Sequence, residues 1–203
     1  MRFGKTAVIC AASISGSVPD WMRGKGRGWV TAEYAMLPGS ASGRIGRKVQ
    51  GRSTEIQRLI GRALRAAVDL EALGERLITV DCDVLQADGG TRTASITGGY
   101  LALALAVQKL KLNGELTGDP LRTPVASVSC GIYQDTAILD LNYEEDFGAA
   151  VDMNFVMDGE GKLVEVQGTA EERTFTVEEL GEMLSLAKKG IGELLALQQK
   201  ILG

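Results

Sequence analysis

The most informative run of residues is Asp88-Gly-Gly-Thr-Arg-Thr93, which precedes an Ala- and Leu-rich stretch with helical composition. Paired glycines let a backbone turn tightly and approach a ligand, and a helix that begins there offers unpaired N–H groups to an anion. Thr91 and Thr93 add hydroxyls, and Arg92 adds a planar fork suited to phosphate. The run is neither a Walker loop nor a dinucleotide fingerprint, and taken alone it also fits a plain helix start with a solvated arginine. A second constellation runs from Leu139 to Asn154, where Asp146 and Asp152 flank a stretch of small residues. A carboxylate pair brought together there suits a Mg²⁺ ion, or lets one member hold a proton as a general acid. A solvated acidic turn is the other reading, and it fits Glu144-Glu145 better than Asp152, which sits between Val151 and Met153. The third is a basic series, Arg44, Arg47, Lys48, Arg52, Arg58, Arg62 and Arg65. Its helical part fits a solvated face, but it continues a basic glycine-rich loop, as a phosphodiester-binding surface would. No aromatic residue interleaves with it. Trp21, Trp29, Tyr34 and Phe3 read as core or interface rather than as base platforms.

Composition narrows the chemistry. There is no histidine in 203 residues, which excludes Ser-His-Asp hydrolysis, Cys-His chemistry and two-histidine zinc sites. Catalysis must therefore rest on arginine, lysine, carboxylates, hydroxyls or a metal. The net charge of −4 is unevenly spread, basic in the first half and acidic in the second. Cys10, Cys82 and Cys130 lie far apart in apolar settings, which favours reduced, buried thiols in a cytoplasm. No stretch reads as a membrane span or secretory signal.

The elements that must position these groups follow from periodicity. Thr6–Ser13 reads as a buried strand and Trp29–Tyr34 as another; Pro38 to Arg52 lacks an apolar period and reads as a loop. From Ser53, apolar residues at Ile56, Leu59, Ile60, Ala63, Leu64, Ala67 and Val68 predict a helix ended by Gly74. Leu77 to Leu85 alternates, with Ile78, Val80, Cys82 and Val84 on one face. A helix from about Ala94 to Leu112 follows, then strands at 125–133 and 137–143 and a hairpin of 151–157 with 163–167. Thr176 and Glu179 form a capping box that opens the last helix. The result is a mixed α/β (α+β) domain over residues 1–203.

Read together, these segments resemble the ribonuclease PH family. The residues that carry the resemblance are Gly28–Tyr34 with Met36-Leu-Pro38, Gly51-Arg52, Glu55–Arg62 and the long run Asp81–Gly98. Asp140–Asp146, Val151-Asp-Met-Asn154 and Glu165–Glu171 complete it. The resemblance implies an α/β fold of two similar halves, mixed sheets with packed helices, and a cytoplasmic hexameric ring built as a trimer of dimers. It implies phosphorolytic 3′→5′ trimming of RNA, chiefly at the 3′ ends of transfer RNA precursors, with inorganic phosphate as co-substrate and Mg²⁺ or another divalent cation. By position, Arg52, Gly90, Thr91 and Arg92 match the family's phosphate site. Asp146 and Asp152 match its catalytic and metal-binding acidic pair, with Arg92 beside them. Arg44, Arg47, Lys48, Arg58 and Arg62 stand where RNA would run. Two departures stand out: the chain begins almost directly with the strand at Thr6, which predicts an unpaired sheet edge, and Gly39-Ser-Ala-Ser-Gly43 replaces part of an arginine-bearing loop. At Phe147-Gly148 the family more often has small residues. These departures leave a second expectation open, a scaffold of the same fold with impaired RNA binding and assembly. A metabolite-phosphate enzyme using the same anion cradle is a third.

Overall fold

A computed structural model describes residues 1–47 and 51–203. Two four-stranded sheets and two long helices alternate in layers. The first sheet has the order β1-β2-β4-β3, from Arg2–Phe3 (β1), Thr6–Ser15 (β2), Trp29–Met36 (β3) and Leu77–Gln86 (β4). The second has the order β6-β5-β7-β8, from Val125–Tyr133 (β5), Thr136–Leu139 (β6), Val151–Asp158 (β7) and Leu163–Ala170 (β8). β3 lies parallel to β4 and is joined to it through α1 (Gly51–Ala66) and the short α2 (Leu70–Leu73), as parallel strands require a crossover. The second sheet is antiparallel throughout.

The alternation in β4 is realised: Ile78, Val80, Cys82 and Val84 all point into the first core. Ile56, Leu59, Ile60, Ala63 and Leu64 of α1 meet them at helical spacing. α3 (Thr91–Leu112) lies between the sheets, packed on β2 and β4 below and β5 above. Every residue from Thr93 to Tyr100 is buried, so this part of α3 has no wet face. Polar crosslinks fix it: Thr97 and Ser127 exchange two hydrogen bonds between α3 and β5, and the buried Gln198 amide donates to the Thr97 and Val125 carbonyls. α5 (Val177–Leu202) opens on the expected capping box and covers the far side of the second sheet with Met183, Ala187 and Ile191.

Three sequence expectations need correction. The helix expected to run to Gly74 stops at Ala66: Ala67 and Val68 turn tightly onto Leu64 and Arg65, and the Asp69 N–H goes to the Pro120 carbonyl. Asp69 then accepts from the Glu71 and Ala72 N–H groups and caps α2, with Gly74 as the C-cap. An Asx side chain has here outcompeted the apolar period. Similarly, the strand expected over 137–143 ends at Leu139, because Asp140 adopts φ 60 and Asn142 caps a five-residue helix, α4 (Tyr143–Phe147). The N-terminal edge is partly covered. Arg2–Phe3 folds back on Thr6–Ala7, and the Met1 amine donates to the Val8 carbonyl. Among the described residues, the outer side of β2 from Ile9 onward has no strand neighbour.

Candidate active site

The Asp88–Thr93 turn, between β4 and α3, meets the segment that joins β6 to α4. Gly89 (φ 74) and Gly90 (φ 57) both need the left-handed region. A Cβ on Gly89 would also collide with the Leu141 carbonyl oxygen and the Asn142 backbone, so only glycine admits this approach of the halves. The buried Thr6 hydroxyl pins the turn, accepting from the Asp88 N–H at 2.8 Å and donating to the Gly89 carbonyl at 2.6 Å. Across the junction the Asp88 carboxylate accepts from the Tyr143 N–H at 3.3 Å, which ties α4 to the same turn. Gly90 is the N-cap of α3. The Thr93 hydroxyl is turned inward onto the Gly90 carbonyl at 2.8 Å, so it holds the cap rather than facing an anion as its spacing suggested. Thr91 shares a 2.9 Å bond with the hydroxyl of the buried Tyr34.

In front of this turn lies a cavity of about 720 Å³. Its wall contains Arg52 from the first turn of α1, Gly90, Thr91 and Arg92 from the start of α3, Asp146 from α4 and Asp152 from β7. Four elements from both halves thus bring all six of these sequence-selected residues to one wall. Three cationic or dipolar features converge there: two guanidinium groups and the positive end of a 22-residue helix. Among the described residues neither Arg52 nor Arg92 forms an ion pair, although Arg92 donates to the Gln167 side chain at 3.3 Å. Guanidinium groups and a helix start on one wall suit an anion.

The carboxylates behave differently from a solvated turn. Asp152 is largely screened by neighbouring strands, and burial pushes its carboxyl up to about 6; the nearby Asp146 charge adds to the rise, while Arg92 and Arg52 oppose it. Asp146 stands on a helix rather than in the strand-to-strand turn its spacing suggested, because the Asn142–Glu145 capping box folds residues 143–147 into α4. Tyr34 is likewise raised by burial, offset by its bond to Thr91 and by the two arginines.

The basic series divides. Arg47 lines the cavity, while Arg44 and Arg58 are exposed; Lys48 lies outside the described residues. Arg62 forms a bidentate pair with Glu165 of β8, at 2.6 and 3.0 Å. Arg65 lies 4.4 Å over the Trp29 ring and donates to the Val30 carbonyl, so one aromatic does meet the basic face. Ser129, Asn154 and Tyr143 also line the cavity, and Gln167 holds Arg92, none of which the sequence reading assigned to the site. For Asn154 a signal existed: it repeats Asp152 at strand spacing within an otherwise apolar β7.

Comparison with known proteins supplies the family. Residues 1–108 match the model of the 3′ exoribonuclease family, domain 1, and residues 123–190 that of its domain 2. The chain is 60% identical over 207 residues to Ribonuclease PH of Rhodopirellula baltica, covering 98% of this chain and 84% of the relative. It is 56% identical to Ribonuclease PH of Neisseria meningitidis serogroup C and of Bacillus pumilus, again over 98% of this chain and 84% and 85% of theirs. The fold matches an Archaeoglobus fulgidus exosome structure with RNA bound to the active site (TM-score 0.78, 21% identity, 98% of this chain and 81% of that one). It also matches rice Rrp46 (TM-score 0.76, 17% identity, 98% and 85%). By both its halves and nearly its full length, the chain belongs to the 3′ exoribonuclease family of ribonuclease PH.

Proposed function

We propose that this cavity shortens RNA from its 3′ end by phosphorolysis. The observation that carries the reading is the convergence of Arg52, the Gly90–Arg92 helix start and the Asp146–Asp152 pair on one wall. Inorganic phosphate sits against the helix start and the two guanidinium groups, where N–H donors and fixed positive charge hold it without a protein nucleophile. One of its oxygens attacks the phosphorus of the last phosphodiester. A P–O bond forms to the incoming phosphate, the bond to the 3′-oxygen of the preceding nucleotide breaks, and a nucleoside diphosphate leaves. The freed 3′-oxygen takes up a proton, which Asp152, with its carboxyl near 6, is suited to deliver where no cation holds it, and which water supplies where one does. Arg52 and Arg92 stabilise the charge that builds on the transferring phosphoryl oxygens.

The donor set also fits a divalent cation. Mg²⁺ is commonly held by one or two carboxylates with phosphate oxygens and water, and Asp146 and Asp152 would be those carboxylates. Bound there, the ion supplies neutralising charge beside the scissile group. Among the described residues no group of three or more carboxylate or thiol ligands gathers anywhere, this cavity included, so phosphate oxygens and water would complete the shell.

Transfer RNA precursors are the proposed substrate, and a homo-hexameric ring the proposed assembly. A cytoplasmic setting agrees with the unpaired cysteines, and no helix among the described residues is long and apolar enough to cross a membrane. The experiment is incubation of 3′-tailed RNA with Mg²⁺, with and without phosphate. Nucleoside diphosphates that appear only with phosphate are expected; monophosphates formed without phosphate would mean hydrolysis and overturn the reading. Phosphate-dependent turnover by the chain would also set aside the scaffold alternative.

A further inference from the structure

An aromatic pair on the rim of the site has no part in this mechanism. Phe147 is 83% exposed and Tyr143 57% exposed, and both belong to the five-residue α4. Their rings lie nearly parallel, 25° apart, with centroids separated by 6.3 Å. Phe147 joins neither hydrophobic core, so burial gives no reason for a benzyl group there. Position supplies one. Tyr143 lines the cavity, and Asp146, which precedes Phe147 in the chain, lines it too. The short helix is held firmly, by the Asn142–Glu145 capping box and by the Tyr143 N–H bond to Asp88. Tyr143 therefore stands on a fixed support at the cavity edge, and Phe147, outside the lining itself, continues its ring surface outward.

We infer that Tyr143 and Phe147 form a base-stacking platform at the mouth of the cavity, which takes a nucleobase of the RNA upstream of the nucleotide being removed. This rests on the proposed 3′-exonucleolytic reading of the same cavity. The occupant follows from chemistry: a single-stranded nucleic acid presents flat π-faces, and stacking on an aromatic side chain is sequence-tolerant, worth about 1–3 kcal/mol per base. The cavity's arginines are placed to hold phosphates. The aromatic pair supplies the flat apolar face that a base needs, and the exposure of Phe147 leaves room for a ring to slide over it.

The test places 2-aminopurine singly at each of the last four positions of a 3′-tailed RNA, bound to the full chain without phosphate so that no phosphorolysis occurs. Quenching at one of these positions is expected with the parent protein, and its loss with Phe147→Ala. In turnover, Phe147→Ala should raise KM for RNA about tenfold while KM for phosphate and the salt dependence of RNA binding stay as in the parent. Phe147→Trp should restore the RNA affinity and Phe147→Leu should not, which separates stacking from bulk. Parental KM for RNA in Phe147→Ala, or full rescue by leucine, overturns the platform. So does a change in oligomeric mass with RNA affinity unmoved, which would make the pair a protein contact. Nucleotide release from the parent without phosphate would instead defeat the mechanism and leave the quenching result to be judged separately.

Discussion

Arg52 and Arg92 differ from Arg62 and Arg65 in what surrounds them, although all four are arginines beside helical runs. Arg62 is answered by the Glu165 carboxylate, and Arg65 by the Trp29 ring and the Val30 carbonyl. Arg52 and Arg92 line a cavity with Asp146 and Asp152, and among the described residues the one polar bond of either guanidinium is the 3.3 Å contact of Arg92 with the neutral Gln167 side chain. Spacing along a helix says which arginines share a face. It does not say which of them the fold has paired with a carboxylate or an aromatic face, and that separates Arg62 and Arg65 from the two arginines of the cavity wall.

Substitutions sharpen this contrast, and the largest effect is expected in the cavity. Asp152→Asn should lower kcat by about 10²–10⁴-fold, the range for losing a positioned proton donor; a loss under threefold in single-turnover assays would remove Asp152 from the chemistry. Arg92→Ala should raise KM for phosphate by about 10- to 100-fold, the scale of a charge-assisted hydrogen bond, and affect RNA affinity far less. Phosphate titrations of turnover read this directly, and an unchanged phosphate dependence would mean the anion sits elsewhere.

Asp152→Asn also has a signed effect on stability. The folded carboxyl is raised to about 6, while in the unfolded chain it returns to about 4. The folded state therefore holds the proton more tightly, and this residue's contribution to stability declines as pH rises from about 4 to about 6. An uncharged amide at this position carries no such penalty. Melting curves should show the variant gaining on the parent across that window and keeping a constant advantage above it. A gain that is equally large at a pH of about 3, below both values, would point to packing rather than to charge.

The smallest effects belong to the α1 stripe. Arg62→Ala removes an ion pair whose arginine is largely solvent-exposed, worth about 0–1 kcal/mol, so the melting temperature should fall by no more than about 4 °C. Arg58→Ala should reduce the slope of log RNA affinity against log salt by about 1 if a phosphate rests there. An identical slope in both variants and the parent would remove the α1 stripe from the RNA path.

Much of this fold is legible in the sequence. β4 followed its alternation, the α5 capping box sat on Thr176 and Glu179, and the glycine turn opened α3. What escaped was decided by short polar side chains. Asp69 stopped one helix and started another, and Asn142 built α4 where alternation suggested a strand. An Asx side chain acts over two or three residues, below the window in which apolar periodicity is read. The six residues that share the cavity wall were each nameable from the family pattern, but the bonds that support them were not. That Tyr34 would reach Thr91, that Gln167 would hold Arg92, and that Thr6 would clasp the turn from 82 residues away depend on which strands become neighbours.

Because α3 is enclosed by a sheet on either side and stitched through Thr97 to Ser127 and Gln198, its axis cannot tilt without disturbing both cores. The helix works as a mortised beam whose half-exposed tip is the proposed anion seat. On that proposal each turnover loads and unloads phosphate against a mount that recoils little, and motion in the site is left to the RNA and to the side chains that greet it.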